Sequence, residues 1–443
     1  MSPAVPALLG GAPAVDAKRH VRWPVLGEDD RNAVLRVIDR GVLSGPWAPE
    51  VRGLEREYAA YVGAKHAVAT NSGTAALHLA IAAAGIGPGD EVITSAYSFV
   101  ATALAVLQAN AVPVFVDVER RSYGLDPALV EKAITERTKA ILPVHIHGTP
   151  CDVEAIADVA KRRGLTLLED AAQAHGAAIG ARKVGTFGRA GCFSLQSSKN
   201  LACGEGGILV TDDEDFALRA RSVRAFGEDV KPTDEAGYRI ERALDGDRAY
   251  DSAAMGWMYR PTELACAVAR SQLRRLDAWN EAARANAAVL CRRLGALPGV
   301  EPVGVPDGRT GSIHKFRVRF DATKVGVDAE PKVVRDALVR ALRAEGAEVV
   351  LWQTVPVPAQ TLFRRKIGYG KGCPWDHAAP VDYDLAQYPE TTALLASSIV
   401  LFSQTCPIAC QPAALADAYA DAFEKVWARL PDVVAAGAHR AAP

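Results

Sequence analysis

A lysine among small and apolar residues, preceded by an acid on a separate strand, is the feature of this sequence with the clearest chemical meaning. Lys199 follows the apolar run 191–194 and precedes the glycine-rich turn 204–207. Asp170 lies about 30 residues upstream, at the end of another short apolar run. A lysine amine can form a Schiff base with the aldehyde of pyridoxal phosphate (PLP), and a carboxylate can keep its pyridine nitrogen protonated. The pair predicts PLP chemistry, with Lys199 and Asp170 as catalytic residues.

Each of the two residues also has an ordinary structural interpretation. A single lysine is usually a solvated surface group, but the residues around Lys199 are small or apolar and no other charge lies within five positions. An aspartate after a strand is often a helix N-cap, and Asp170 alone does not decide between the two roles. A lysine that reacts at neutral pH needs a lowered pKa, which burial or nearby positive charge supplies.

The segment Ser72, Gly73 and Thr74 follows a predicted strand and opens a predicted helix. The free N–H groups and the dipole at a helix N-terminus bind anions, and a glycine lets the backbone approach closely. The same three residues are equally typical of a simple N-cap. We therefore interpret the turn as a candidate phosphate site, with the cap as the open alternative.

Three further side chains are candidates for contacts with a bound ring or substrate. Gln173, three residues after Asp170, could reach the phenolic oxygen of the cofactor. Phe99, at the start of a predicted helix, could stack on the ring or be a core aromatic. His145 and His147 alternate on a predicted strand, so their side chains are expected to point the same way, toward cofactor or substrate.

Short apolar runs alternate with helical patterns over the first 225 residues, which predicts a mostly parallel sheet covered by helices on both faces. Ligands bind beyond the carboxyl ends of such strands, where three of the candidate motifs fall. The strands are predicted at 67–70, 91–94, 112–116, 140–144, 165–169, 191–194 and 208–211. The helices are predicted at 28–41, 48–62, 74–85, 99–109, 127–135, 152–163 and 213–225.

The pattern changes in the second half of the chain. We predict a surface loop over 227–252, one long helix over 262–297, an exposed-face strand at 315–320, a helix at 330–345, a strand at 348–352 and a helix at 411–430. Residues 1–25 are expected to be loosely structured and 431–443 frayed. The expected organisation is an N-terminal extension (1–25), a large domain (26–280) and a smaller α+β domain (281–443).

Composition excludes several classes of protein. The formal net charge is −1 with both signs mixed along the chain, which does not suggest a nucleic-acid or membrane partner. The N-terminus lacks a signal-peptide pattern, so we expect a cytoplasmic protein. The eight cysteines are scattered, which is typical of reduced, buried residues. Cys406 and Cys410 have helical spacing, but no second pair completes a metal site, and none is expected.

Taken together, these motifs resemble the DegT/DnrJ/EryC1/StrS family, the sugar and cyclitol aminotransferases of PLP fold type I. The resemblance runs from about Trp23 to the C-terminus, and it is strongest at 71–74, 169–176, 198–200 and 204–207. It implies an α/β fold in which a large domain with a mostly parallel sheet carries the cofactor. It also implies a homodimer in which each subunit completes the active site of the other.

The resemblance assigns roles to individual residues. Lys199 matches the Schiff-base lysine, Asp170 the partner of the pyridine nitrogen, and Gln173 the partner of the phenolic oxygen. Ser72, Gly73, Thr74 and Ser194 match the phosphate site, and Phe99 matches the stacking aromatic. Where the family often has an asparagine in the segment that crosses to the partner's phosphate, this chain has Met258, which cannot donate a hydrogen bond. Arg260, two residues later, is a candidate to bind the anion instead.

The implied reaction is transfer of an amino group from glutamate or glutamine to a ketone on a cyclitol or a nucleotide-linked sugar, with Lys199 as the acid–base group. One alternative is a PLP-dependent dehydratase or lyase acting on a deoxysugar. Dehydratases of this family carry histidine at the lysine position, so Lys199 argues against it. A non-catalytic ligand sensor is a second alternative, disfavoured by the intact set Asp170, Gln173 and Lys199. The segment 352–375 has no family role, and we expect it to shape the acceptor pocket.

Overall fold

The structure of this chain, a computed structural model, describes residues 4–45, 48–232, 238–240, 251–377 and 380–438. The helices of this described part are α1 (Glu28–Arg40), α2 (Pro49–Val62), α3 (Gly73–Ala83), α4 (Ala101–Gln108), α5 (Pro127–Lys132), α6 (Val153–Arg163), α7 (Glu214–Arg224), α8 (Glu263–Leu273), α9 (Leu276–Leu294), α10 (Pro331–Ala344), α11 (Thr361–Arg364), α12 (Pro389–Ala396), α13 (Ala413–Trp427) and α14 (Leu430–Ala438).

The strands belong to one large sheet and several smaller ones. They are β1 (His66–Thr70), β2 (Glu91–Ser95), β3 (Val112–Val116), β4 (Thr138–Leu142), β5 (Thr166–Asp170), β6 (Ala178–Ile179), β7 (Arg182–Lys183), β8 (Ala190–Ser194), β9 (Gly207–Thr211), β10 (Val230–Pro232), β11 (Tyr238–Ile240), β12 (Val300–Pro302), β13 (Arg309–Thr310), β14 (Phe316–Phe320), β15 (Val349–Val350) and β16 (Ser398–Leu401).

The large sheet is mostly parallel, as predicted. Its strand order among the described residues is β1-β9-β8-β5-β4-β2-β3, and β9 alone runs against the others. Its strands are almost entirely buried, because helices cover both faces. Strands β5 and β8 are neighbours, and Asp170 pairs with Cys192 in their register. This order brings the carboxyl end of β5 next to the segment that leads from β8 to Lys199.

Local sequence explains where the helices that flank the site begin and end. The Ser72 side chain caps α3 by accepting a hydrogen bond from the N–H of Ala75 at 3.0 Å. Helix α2 begins with Pro49 and ends at Val62, and Gly63 caps it with a φ of 85°, the left-handed conformation that glycine adopts without strain. Both helices start and stop close to the predicted positions.

A second, antiparallel sheet has the order β12-β14-β16-β15, with β14 and β16 at its centre. Helices α10 and α13 pack beside it around buried residues such as Phe316, Leu338 and Phe423. This is the predicted α+β part of the chain. The predicted domain boundaries at 25/26 and 280/281 stay predictions; helix α9 runs through residue 280.

The strand at 315–320 was expected to expose one face, and this expectation was wrong. All five residues of β14 are buried, including Arg317 and Arg319. Arg317 donates to the Ser398 hydroxyl at 2.5 Å and to the Trp352 carbonyl at 2.6 Å, and Arg319 pairs with Glu390. The alternation of basic and apolar residues mimics an exposed strand, but these arginines are buried with partners.

The helix predicted over 262–297 is two helices, with a break at Arg274 and Arg275. Helix α8 packs against α1 and α2, whereas α9 packs against α13. Arg275 pairs with Asp30 of α1 at 2.6 Å. One straight helix could not satisfy both sets of neighbours, so the chain bends between them.

Three predictions for irregular segments need correction. The N-terminal segment is irregular but held, because Ala7 and Ala14 donate their N–H groups to Glu345 at 2.7 and 2.9 Å. Within the predicted loop 227–252, β10 and β11 form an antiparallel pair; 233–237 and 241–250 lie outside the described residues. Residues 430–438 form α14, with Leu430 and Val433 buried, and 439–443 are not described.

Candidate active site

A cavity of about 440 Å³ opens beyond the carboxyl ends of the large sheet's strands. It brings together nearly all the residues predicted from sequence. Those lining it are Ser72, Gly73, Thr74, Phe99, Asp170, Gln173, Ser194 and Lys199. The second sheet and its loops contribute His314, Lys315, Trp352 and Gln404. The cavity therefore lies where the two sheets meet.

Lys199 is half-buried in the cavity wall, on a short turn after β8. Its backbone N–H donates to the Gln196 carbonyl at 2.8 Å, and its own carbonyl accepts the indole N–H of Trp23 at 3.2 Å. No residue in the described ranges forms a hydrogen bond or ion pair with its amine. Loss of hydration lowers the pKa of Lys199 to about 8, although Asp170 and Glu205 partly oppose that shift. A reactive neutral amine is therefore accessible near physiological pH.

Asp170 is the last residue of β5, and its buried carboxylate is held by two donors. The Thr102 hydroxyl donates to Oδ2 at 2.7 Å, and the Ala172 N–H donates to Oδ1 at 3.1 Å. Burial raises the pKa of Asp170, while these donors and Lys199 act in the opposite direction. A cationic partner, such as a protonated ring nitrogen, would stabilise the charged form of this buried carboxylate.

The N-terminus of α3 forms the opposite wall of the cavity. The N–H groups of Gly73 and Thr74 have no acceptor among the residues that the structure describes. A Cβ on Gly73 would lie 2.6 Å from Ser194 Cβ, so only glycine permits this close approach of helix and strand. The N-cap interpretation of Ser72 is correct, and the cap leaves free N–H groups beside the Ser194 hydroxyl, an arrangement that can bind an anion.

Gln173 is oriented by a backbone group. Its Oε1 accepts the N–H of His147 at 2.9 Å, so its amide nitrogen is the group left to donate. An amide N–H suits a phenolate oxygen, which can only accept. His147 has φ of 58°, and its ring accepts the Tyr97 hydroxyl at 2.6 Å.

Phe99 is 53% exposed and lines the cavity. It is therefore not a core aromatic in this chain, and the stacking alternative is the one that its position permits. Its carbonyl accepts the backbone N–H of Thr102 at 3.2 Å. This bond connects the position of Phe99 to the residue that holds Asp170.

The prediction that His145 and His147 alternate on a strand was wrong. Strand β4 ends at Leu142, and the two residues lie on an irregular turn after it. His145 is buried against Glu169 at 3.0 Å, and neither histidine lines the cavity.

Arg260 does not line the cavity. It lies beside Phe226, 5.7 Å from the ring centroid, in a segment that includes the half-exposed Met258. Asn71 links that segment to the site, because its N–H donates to the Tyr259 carbonyl at 2.9 Å. The proposed role of Arg260 concerns a partner subunit and stays a prediction.

Sequence reasoning missed Thr102, His314, Lys315 and Gln404. Thr102 lies one helical turn after Phe99, and that spacing is the signal that could have found it. Trp352 belongs to the segment expected to shape the acceptor pocket, and it lines the cavity. Further along this segment, Phe363 and Trp375 are buried in an aromatic cluster with Phe115.

The donor set fits PLP. The α3 N-terminus with Ser194 offers an anion site, the Asp170 carboxylate offers a partner for a pyridinium, and the Lys199 amine is unpartnered. In the described residues no group of three or more His, Cys, Asp or Glu side chains is arranged to hold a metal ion. Cys406 and Cys410, like the other six cysteines, are free. Among the described helices, none has the length and apolar character required to span a bilayer.

Known proteins with similar sequences include aminotransferases. The dTDP-3-amino-3,4,6-trideoxy-alpha-D-glucose transaminase of Streptomyces venezuelae is 40% identical over 329 residues, covering 73% of this chain and 78% of the relative. The L-glutamine:scyllo-inosose aminotransferase of Streptomyces griseus is 39% identical over 321 residues, covering 70% and 73%.

Solved structures with a similar fold also include enzymes of amino-group chemistry. The crystal structure of 3-amino-5-hydroxybenzoic acid synthase matches with a TM-score of 0.78 at 30% identity, covering 96% of this chain and 100% of that one. The structure of S. venezuelae DesV with a ketimine intermediate matches with a TM-score of 0.75 at 33% identity, covering 92% and 98%. The family description "DegT/DnrJ/EryC1/StrS aminotransferase family" matches residues 24–383. This chain belongs to that family of aminotransferase enzymes.

Proposed function

We propose that this enzyme uses PLP to move an amino group from glutamate or glutamine to a ketone on a cyclitol or a nucleotide-linked sugar. One observation carries the proposal: the Lys199 amine, the Asp170 carboxylate and the α3 N-terminus surround a single cavity. An amine, an acid and an anion site are what the aldehyde, ring nitrogen and phosphate of PLP require.

When bound, PLP supplies an electron sink that stabilises negative charge on the substrate carbon next to nitrogen. The residues around it then have distinct tasks. Lys199 Nζ removes the proton from the donor's α-carbon, and in the second half of the cycle it delivers a proton to the acceptor carbon that receives the amino group, which its pKa of about 8 permits. Asp170, held by Thr102, keeps the ring nitrogen protonated.

The other predicted residues bind and orient. The N–H groups of Gly73 and Thr74, with the Ser194 hydroxyl, hold the phosphate, while the Ser72 side chain fixes the start of α3. The Gln173 amide donates to the phenolic oxygen. Phe99 covers one face of the ring and excludes water from it.

Two relatives support the choice of substrates. By name, one acts between L-glutamine and scyllo-inosose, a ring ketone, and the other makes a dTDP-linked amino sugar. The cavity walls contributed by His314, Trp352 and Gln404 are polar or aromatic, which suits a polyol ring. We also propose a homodimer in which Arg260 serves the partner's phosphate site.

Transfer of labelled nitrogen tests the function. The protein is incubated with PLP, glutamine or glutamate labelled with ¹⁵N at the α-amino group, and a panel of ketocyclitols and nucleotide-linked keto sugars. We expect a labelled amino product from the wild type and from the control Lys161→Ala, which removes an exposed lysine. We expect no labelled product from Lys199→Ala. Transfer by Lys199→Ala, or dehydration without transfer by the wild type, would contradict the proposal.

A further inference from the structure

A second lysine enters the same cavity and has no task in the reaction described above. Lys315 immediately precedes β14 and is only 6% exposed, yet it lines the cavity. Its amine forms no hydrogen bond or ion pair with any residue of the described ranges. A buried, unpaired ammonium is unfavourable, so such groups are normally paired or bind an anion.

The backbone around Lys315 is fixed. The His314 N–H donates to the His147 carbonyl at 2.8 Å, and the Ser312 N–H donates to the Gly148 carbonyl at 2.9 Å. The Ser312 hydroxyl reaches the Gln173 carbonyl at 3.4 Å. These contacts hold the backbone of Lys315 in place before any ligand arrives, so that little backbone ordering is required on binding.

The segment that carries Lys315 docks on a different part of the cavity wall from the N-terminus of α3. Its backbone docks on the His147 and Gln173 side of the cavity, whereas the free N–H groups of α3 adjoin Ser194. The Asp170 carboxylate is already held by Thr102 and Ala172. None of these contacts uses the Lys315 amine, which therefore remains available to a substrate group.

Neighbouring groups leave the Lys315 amine only partly charged until an anion arrives. Burial, together with Lys199 and Arg317, lowers the pKa of Lys315 to about 7. His314 is held neutral, since burial and these lysines keep its pKa well below its usual value. Its Nδ1–H faces Asn200 Oδ1 at 3.1 Å, so it does not neutralise the lysine. An arriving carboxylate would restore the charge on Lys315 and pair with it.

We propose that Lys315 is a specificity residue that binds a carboxylate of the substrate. This inference deepens the proposed function and rests on it. The carboxylate comes either from the amino donor and its keto-acid product, or from an acidic group on the acceptor. A lysine, as a compact point charge with three donors, suits either source.

The test compares Lys315→Met and Lys315→Gln with wild type and with Lys332→Met, which removes an exposed lysine. Calorimetry measures the binding of 2-oxoglutarate to each protein without cofactor and with PLP. Because a hydrogen bond to a charged group is lost, we expect both Lys315 variants to bind 2-oxoglutarate roughly ten- to hundred-fold more weakly than the wild type. The Lys332→Met control should bind it with wild-type affinity. Wild-type affinity in both folded Lys315 variants, for 2-oxoglutarate and for a carboxylated keto sugar, would overturn the inference.

Two arms identify the source of the carboxylate. If it belongs to the donor, Lys315→Met lowers the apparent affinity for glutamate in the donor half-reaction and leaves the apparent affinity for a neutral ketocyclitol unchanged. If it belongs to the acceptor, wild type prefers a keto sugar that bears a carboxylate over its neutral counterpart, and Lys315→Met loses that preference. Either result supports a carboxylate-binding Lys315.

A measurement on the wild type covers the case in which both variants unfold. Amine acetylation of Lys315, followed by mass spectrometry, should slow several-fold when 2-oxoglutarate or the carboxylated keto sugar is present. Equal acetylation with and without each of these carboxylates would overturn the inference. PLP attachment to Lys199 is scored in the same samples; failure there rejects the proposed function, whereas intact attachment with unchanged carboxylate binding rejects only the role of Lys315.

Discussion

Trp23 donates its indole N–H to the backbone carbonyl of Lys199 at 3.2 Å. The indole is buried and packs edge-on against Trp279, with 5.7 Å between the ring centroids. The backbone N–H of Trp23 donates to the Thr405 carbonyl at 2.8 Å. The N-terminal segment is thus part of the support of the lysine, although it is distant in sequence.

Trp23→Phe should loosen this support while keeping an aromatic ring in place. Losing one hydrogen bond is expected to lower the free energy of unfolding by about 0.5–1.5 kcal/mol and to reduce turnover a few-fold. Urea denaturation and steady-state kinetics measure the two effects. The matched control is Trp279→Phe, since the Trp279 indole N–H has no partner among the described residues. Equal losses in the two variants would show that ring size, not the hydrogen bond, matters.

Thr102→Val should impair catalysis without altering the shape of the site. The change removes the hydroxyl that donates to Asp170 Oδ2, and the pKa of Asp170 is then expected to rise further. We expect kcat/KM to fall by roughly ten-fold or more, because a hydrogen bond to a charged group is lost. Thr102→Ser retains the donor and should keep most of the activity. A valine variant as active as the serine variant would contradict this role.

Gly73→Ala should weaken cofactor binding. The new methyl group would lie 2.6 Å from Ser194 Cβ, so the helix and strand must separate and the anion site must widen. Overpacking of this kind costs about 1–3 kcal/mol, which predicts a PLP dissociation constant raised roughly ten-fold or more. Fluorescence titration with PLP measures it. Gly304→Ala, whose methyl group would meet no atom within 4 Å, should bind PLP like the wild type.

The rate of PLP attachment should rise with pH around 8. Only the neutral amine attacks an aldehyde, and the pKa of Lys199 is lowered to about 8, so the reactive fraction grows as pH increases through that value. Stopped-flow absorbance between pH 6 and 10 gives the rate. Pyridoxamine phosphate, which has no aldehyde, serves as the control and should not follow this curve. A rate that has no midpoint near pH 8 and is still rising steeply at pH 10 would show that burial does not activate Lys199.

Much of this site could be predicted from the sequence because its residues follow strand ends. Strands of a parallel sheet end at a common edge, so Asp170, Ser72 and Lys199 were expected to meet once their strands were identified. Gly73 was predicted for the same reason, and the structure adds that Ser194 is the neighbour that requires it.

What could not be predicted depends on contacts between distant segments. Lys315 resembles the basic residues of a solvent-facing strand, and only the docking of its segment on His147 and Gln173 places it in the cavity. His147 adopts a left-handed backbone that no local pattern indicates. The break between α8 and α9 likewise depends on the different neighbours that each helix packs against.

Borohydride trapping tests the central claim most directly. The wild-type protein is mixed with PLP, reduced, digested and mapped by mass spectrometry. We predict that one peptide carries the phosphopyridoxyl group, and that fragmentation assigns it to Lys199 and not to Lys315. Attachment to Lys315 or to surface lysines, or no attachment at all, would contradict the assignment of Lys199 as the residue that holds the cofactor.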